Sequence, residues 1–138
     1  MPTAAKAMTL LAACLSLGAC TTTSLTSGVT APTTKDSIIA QMNGGLIGGE
    51  LGSKLPERER RKALEAEYRA LEYTPARMPV TWNTEDGRLS GSVVAAQPYR
   101  VGSQDCRQYS HTITDGGRES EARGTACRNP DGSWTPLT

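Results

Sequence analysis

Between Cys106 and Trp134 the chain runs through polar and β-branched residues, Tyr109, Ser110, His111, Thr112, Ile113 and Thr114, and then breaks at Asp115-Gly116-Gly117-Arg118. A short alternating run closed by two glycines is the pattern of a β-hairpin, with the glycines supplying the positive φ of a two-residue loop. If Gly116 and Gly117 form that loop, Cys106 lies opposite Cys127, and nine steps from the hydrogen-bonded pair Asp115/Arg118 makes theirs a non-hydrogen-bonded pair, where side chains come closest. The same register sets Tyr109 against Gly124, His111 against Ala122 and Ile113 against Ser120, a face of large groups meeting small ones that is expected to be the core face. Both cysteines then sit on the opposite face with Gln108, Ser110, Glu121 and Arg123.

Upstream, the pattern changes period. Leu64, Tyr68 and Leu71 recur at helical spacing, Pro56 opens the run, Glu57 and Glu59 suit the positive end of the helix dipole, and Thr74-Pro75 closes it, which predicts a helix over Pro56 to Tyr73. Glu57 with Arg61 and Glu65 with Arg69 are spaced as i,i+4 ion pairs. Interleaved glutamates make the basic run Arg58, Arg60, Arg61, Lys62 a solvated face rather than a patch for anionic headgroups. Beyond the helix, strands are expected at Met78–Asn83 and Leu89–Ala96, with a turn at Glu85-Asp86-Gly87 between them. An irregular connection through Pro98-Tyr99 and Gly102-Ser103 then leads into the hairpin, and Asn129-Pro130-Asp131-Gly132 turns into a last strand over Ser133–Leu137. The expected fold class is α+β: one N-terminal helix followed by a small antiparallel β-meander of about five strands with one disulfide.

Residues 38–55 are different in kind. Gly44, Gly48 and Gly52 form GxxxGxxxG, so a helix here would carry a strip of small residues for close helix packing and self-association. Gln41, Asn43 and Glu50 interrupt the apolar run, which is shorter than the roughly 20 residues of a spanning helix. A membrane-apposed or self-associating helix and a glycine-rich linker are both open readings.

The first nineteen residues read as an export signal: one positive charge at Lys6, an apolar run from Ala7 to Leu17, and small residues before Cys20. Leu17-Gly18-Ala19-Cys20 resembles the lipobox of bacterial lipoproteins, which implies acylation at Cys20, a palmitate-type anchor, and attachment to a membrane through it. Thr21, rather than Asp, after that cysteine resembles the pattern that sorts lipoproteins to the cell outer membrane. Residues 20–37, rich in Thr, Ser, Gly and Pro, form the lipidated flexible tether, and residues 56–138 the globular domain. Cleavage changes the charge balance only by Lys6, leaving fourteen basic residues against fourteen acidic, which offers nucleic acid no bulk attraction. It also leaves Cys106 and Cys127 as a single pair in an oxidising compartment, where a disulfide is the expected state. With one histidine and two distant cysteines there is no familiar metal-ligand set, and no cofactor motif.

Taken together, Ala70-Leu71-Glu72-Tyr73 with Pro75, Val80-Thr81-Trp82, Gly91 with Val93, Cys106-Arg107-Gln108-Tyr109 and the run from Gly124 to Trp134 resemble the 17 kDa surface antigen family of outer-membrane lipoproteins. The resemblance implies location and fold more than mechanism, because the family has no established reaction. Catalytic groups are scarce: His111 is the only histidine, and Ser110-His111-Thr112 lie on a strand whose faces alternate, so they do not build a triad. The expected function is therefore a non-enzymatic lipoprotein whose small domain binds an envelope component or supports envelope integrity. The alternative is a lipid-anchored inhibitor or binding module for a secreted ligand such as a cell-wall hydrolase. Trp82, Tyr99, Tyr109 and Trp134 are candidate partner anchors, although a chain without phenylalanine also needs them for its core.

Overall fold

The computed structural model describes residues 40–137; the export signal, Cys20 and the whole tether, residues 20–37, lie outside the described residues. Among the described residues, which begin with a helical end at 40–42, the long helix α1 (Glu57–Glu72) precedes six strands: β1 (Pro79–Asn83), β2 (Leu89–Ala95), β3 (Tyr99–Val101), β4 (Gln104–Asp115), β5 (Arg118–Arg128) and β6 (Trp134–Leu137). The strands form one antiparallel sheet in the order β1-β2-β4-β5-β6. The meander is as expected, with one addition: the connection through Tyr99 is itself a strand. β3 pairs with Gln104–Cys106 on the edge of β4 opposite β5, and β2 pairs with Tyr109–Asp115 on that same edge. One long strand thus holds two short ones end to end.

The central hairpin has the register that its two-glycine loop dictates. Asp115 pairs with Arg118, Ile113 with Ser120, His111 with Ala122, Tyr109 with Gly124 and Cys106 with Cys127. Gly116 and Gly117 have φ of 54° and 86°, the left-handed values of a type I′ turn. Cys106 and Cys127 are disulfide-bonded, and their Cα atoms lie 4.0 Å apart, as in the close non-hydrogen-bonded pairs of antiparallel sheets.

The core lies on the face predicted by that register. Val80 and Trp82 of β1, Val93 and Ala95 of β2, and Tyr109, His111 and Ile113 of β4 are buried together beneath α1. The helix contributes Ala63, Leu64, Ala66, Glu67, Ala70 and Leu71, while Tyr68 is only half buried. Its buried stripe is thus centred one position N-terminal to the Leu64-Tyr68-Leu71 line, on a glutamate. The i,i+4 ion pairs expected along α1 are not among its contacts; Arg58 instead reaches across to Glu85 at 2.7 Å.

Residues 42–55 form the second cover of the sheet, and here the expected helical strip of Gly44, Gly48 and Gly52 is not what forms. Asn43, Gly44 and Gly45 all have positive φ, which ends any helix there, and the chain continues through two single 3-10 turns, Leu46–Gly48 and Glu50–Gly52. Gly44 approaches Gly48, but Gly52 is pressed against the Ile47 carbonyl within the same segment rather than along a helix face. Met42, Ile47 and Leu55 join the core cluster, and Leu46 lies directly over Gly124. Large residues of β4 could oppose small ones of β5 because this segment fills the space above them. No helix of the described residues is long and apolar enough to cross a membrane.

Candidate functional site

Glu67, on the buried face of α1, is fully enclosed, and so is His111 on β4. The Glu67 carboxylate accepts from the backbone N–H of Leu46 (2.9 Å) and of Ile47 (3.1 Å), from the Tyr109 hydroxyl (3.3 Å) and from His111 Nδ1 (2.8 Å). Trp82 Nε1–H donates to His111 Nε2 at 2.9 Å. An indole N–H only donates, so Nε2 is the acceptor nitrogen and the imidazole proton sits on Nδ1, facing the carboxylate. Burial, then the negative charge of Glu67, pushes the Tyr109 phenol far above its ordinary value, which keeps it a donor. The chain Trp82-His111-Glu67 has the linear order of a base and its orienting acid, but the nitrogen that would accept a nucleophile's proton is taken by an indole, and neither group meets solvent. Its work is structural: it joins β1, β4, α1 and the glycine-rich segment at one point. Gly91, cross-strand from Trp82, leaves room for the indole; a Cβ there would overlap the ring.

A second polar system closes the C-terminal end of α1. The Arg107 guanidinium, buried, donates from Nη1 to the carbonyls of Ala70 (3.0 Å), Leu71 (2.7 Å) and Thr74 (3.1 Å), and from Nε to that of Ala96 (2.8 Å). A cation here satisfies carbonyls that a helix end leaves open and meets the negative end of its dipole. Burial holds the Arg107 guanidinium below its usual pKa. Beside it, Glu72 takes a forked pair of bonds from Arg128 and one at 2.9 Å from the Trp134 indole. Asn129 and Asp131 organise the turn that follows, through Ser133 and Thr135. The separate sequence motifs around residues 70–73, 107 and 128–134 are therefore one interaction system. Among the described residues, every buried side-chain nitrogen and oxygen has a partner.

Of the four aromatic candidates for partner binding, Trp82, Tyr109 and Trp134 are in the core, and Tyr99 on β3 is exposed. Sequence reasoning missed Glu67 and Arg107. Glu67 stands three residues after Leu64 and four before Leu71, on their helix face, and that spacing was its only signal. No cluster of three or more histidine, cysteine, aspartate or glutamate side chains among the described residues is placed to hold a metal ion.

What remains available for recognition is the outer face of the sheet. The register aligns Thr81, Ser92, Thr112 and Glu121 in one row across β1, β2, β4 and β5, and Asn83, Ser90, Thr114 and Glu119 in the next. None of these side chains is buried. A cleft of about 550 Å³ opens farther along this face, lined by Arg77, Val94, Ala96, Gln108, Ser110, Arg123 and Thr125. At the end of the domain where α1 begins, a cleft of about 520 Å³ is lined by side chains of both signs, among them Arg58, Lys62, Glu85, Arg88 and Asp115.

Known proteins share these features over part of their length. Residues 69–135, which contain β1 to β5 and all three motif regions, match the family model described as 17 kDa outer membrane surface antigen. The chain is 37% identical over 86 residues to the 17 kDa surface antigen of Rickettsia bellii, covering 62% of this chain and 54% of that protein. It is 41% identical over 81 residues to the Rickettsia felis protein of the same name, covering 58% and 51%. It thus spans about half the length of the curated relatives it matches. No solved structure matches it. Over residues 69–135 the chain is thus similar to the 17 kDa surface antigen family.

Proposed function

We propose that the protein is a non-enzymatic component of the outer membrane surface, anchored by lipid at Cys20, whose domain binds an envelope component through the outer face of its sheet. The observation that carries this reading is the division of labour between the two faces. The one histidine, the buried glutamate and three of the four candidate aromatics are bonded or packed on the inner face, whereas the outer face offers hydroxyl, amide and charged groups across four adjacent strands. A rigid polar surface with no reacting group at its centre suits binding better than bond-making. The relatives' description as surface antigens agrees with such a display role, and residues 20–37 would serve as the tether that lifts the domain away from the membrane.

Two measurements test it. Cys20→Ser should move the protein from the membrane fraction to the soluble fraction, and undiminished membrane association would overturn anchoring at that residue. A photo-crosslinking residue in place of Thr112, at the middle of the outer face, should capture an envelope component in cells, whereas one at Glu65 on the exposed side of α1 should not. Equal capture from both positions would overturn the assignment to the sheet face.

A further inference from the structure

The cleft between Arg77 and Arg123 differs from the rest of the surface in its charge. The whole chain is close to neutral, with 15 basic and 14 acidic residues, and the other large cleft is lined by cations and carboxylates together. Here two guanidinium groups line the cleft with no carboxylate in its wall. The remaining polar groups are Gln108, Ser110 and Thr125, and Val94 and Ala96 form an apolar floor. Arg77 is held in an unusual conformation, φ 68°, which glycine would adopt more easily, while its N–H donates to the Ala95 carbonyl at 2.8 Å. A non-glycine residue kept in this region beside a cleft directs attention to its side chain. Arg123 is supported by Glu121 at 3.0 Å, yet the guanidinium remains largely exposed and its five donors are not exhausted by that bond.

We infer that this cleft binds a short acidic peptide segment. Guanidinium groups match carboxylates as a two-toothed fork, and Gln108, Ser110 and Thr125 supply the mixed donors and acceptors that peptide amides require. The cleft wall presents no tryptophan and no aromatic ring for a sugar to stack on: Tyr109 lines it, but the ring points through the sheet to Glu67. The volume lies within the range of specific small-ligand sites, roughly 300–1,000 Å³. This site deepens the reading of the outer face as the binding face, and it rests on that reading.

The test uses the full chain, labelled with 15N, and a synthetic tetrapeptide of alternating alanine and glutamate. Saturable shifts should concentrate at Arg77, Val94, Gln108, Ser110, Arg123 and Thr125. Affinity should fall at least fivefold in Arg123→Gln and in Arg77→Gly, the latter preserving the backbone conformation. It should be unchanged in Arg118→Gln, at the first residue of β5 beside the hairpin loop. The neutral peptide with glutamine in place of glutamate should not bind. Absence of saturable binding, equal binding of the neutral peptide, or shifts centred elsewhere would overturn the inference. So would binding of anionic phospholipid vesicles, with no peptide binding, through the same arginines. Crosslinks captured from position 112 in cells would persist if only the peptide assignment failed, and would vanish if the face itself were wrongly chosen.

Discussion

At the scale of single residues, the informative positions are those whose environment contradicts their type. Glu67 is a carboxylate with no exposure, facing four donors and no cation. Replacing it by Gln turns one acceptor edge into an NH2 group facing N–H and O–H donors, so Glu67→Gln should cost about 2–4 kcal/mol in chemical denaturation. Glu65→Gln, on the exposed face, should stay within about 0.5 kcal/mol. Glycines divide in the same way. Gly91→Ala would drive a methyl group into the Trp82 indole and should cost about 1–3 kcal/mol, while Gly48→Ala meets open space and should change stability little. If Gly48 proved the costlier of the two, the packing assigned to these glycines would be wrong.

At the scale of elements, α1 is held at three points: Glu67 at its middle, and Glu72 and the Arg107-bonded carbonyls at its end. The forked hydrogen bond from Arg128 leads in holding the Glu72 carboxyl below its usual value of 4.5, with Trp134 and the Arg128 charge assisting against partial burial. A carboxylate with a depressed folded pKa contributes stability that is fully present above its ordinary pKa and is lost as pH falls through the depressed value. Acid titration of unfolding free energy should therefore show a loss beginning below about pH 4.5 that is reduced in Glu72→Gln. An identical acid slope in the variant would show that other carboxylates carry the effect. The i,i+4 pairs legible along α1 do not form; at solvent-accessible positions such pairs bring only a few tenths of a kcal/mol, too little to fix two long side chains. Arg107 was not legible as a helix cap, since it stands more than thirty residues from the carbonyls it meets.

For the whole molecule, the question is how a domain with few aromatics closes a core on one side of a sheet. It does so with two covers, α1 and the glycine-rich segment, and with a covalent tie between β4 and β5. The disulfide links residues 21 apart, and removing that constraint on the unfolded chain should cost about 3 kcal/mol. Reduction should consequently lower the thermal midpoint by several degrees or more in an otherwise unchanged buffer. Insensitivity to reductant would mean that the bond contributes nothing to the folded state. Because the hairpin register is set independently by its turn, the reduced protein should keep its β-sheet circular dichroism below the new midpoint.

The hairpin, its register, the facing cysteines, the helix, three further strands and two further turns were legible in the amino-acid order, because each depends on near neighbours: a two-residue period, a left-handed glycine pair, a proline before a helical stripe. The rest depends on contacts between distant parts of the chain. Spacing of glycines is shared by packed helices and by tight turns, and it was contact with Leu64, Glu67 and β5 that selected turns. β3 emerged because the upper half of β4 offers an edge that β2 has already left, a circumstance invisible in Tyr99–Val101 alone. His111 became a neutral link rather than an acid or base because Trp82 and Glu67, 29 and 44 residues away, occupy its two nitrogens. Local chemistry sets which elements form, and donors brought together from distant parts of the chain set what each polar group is for.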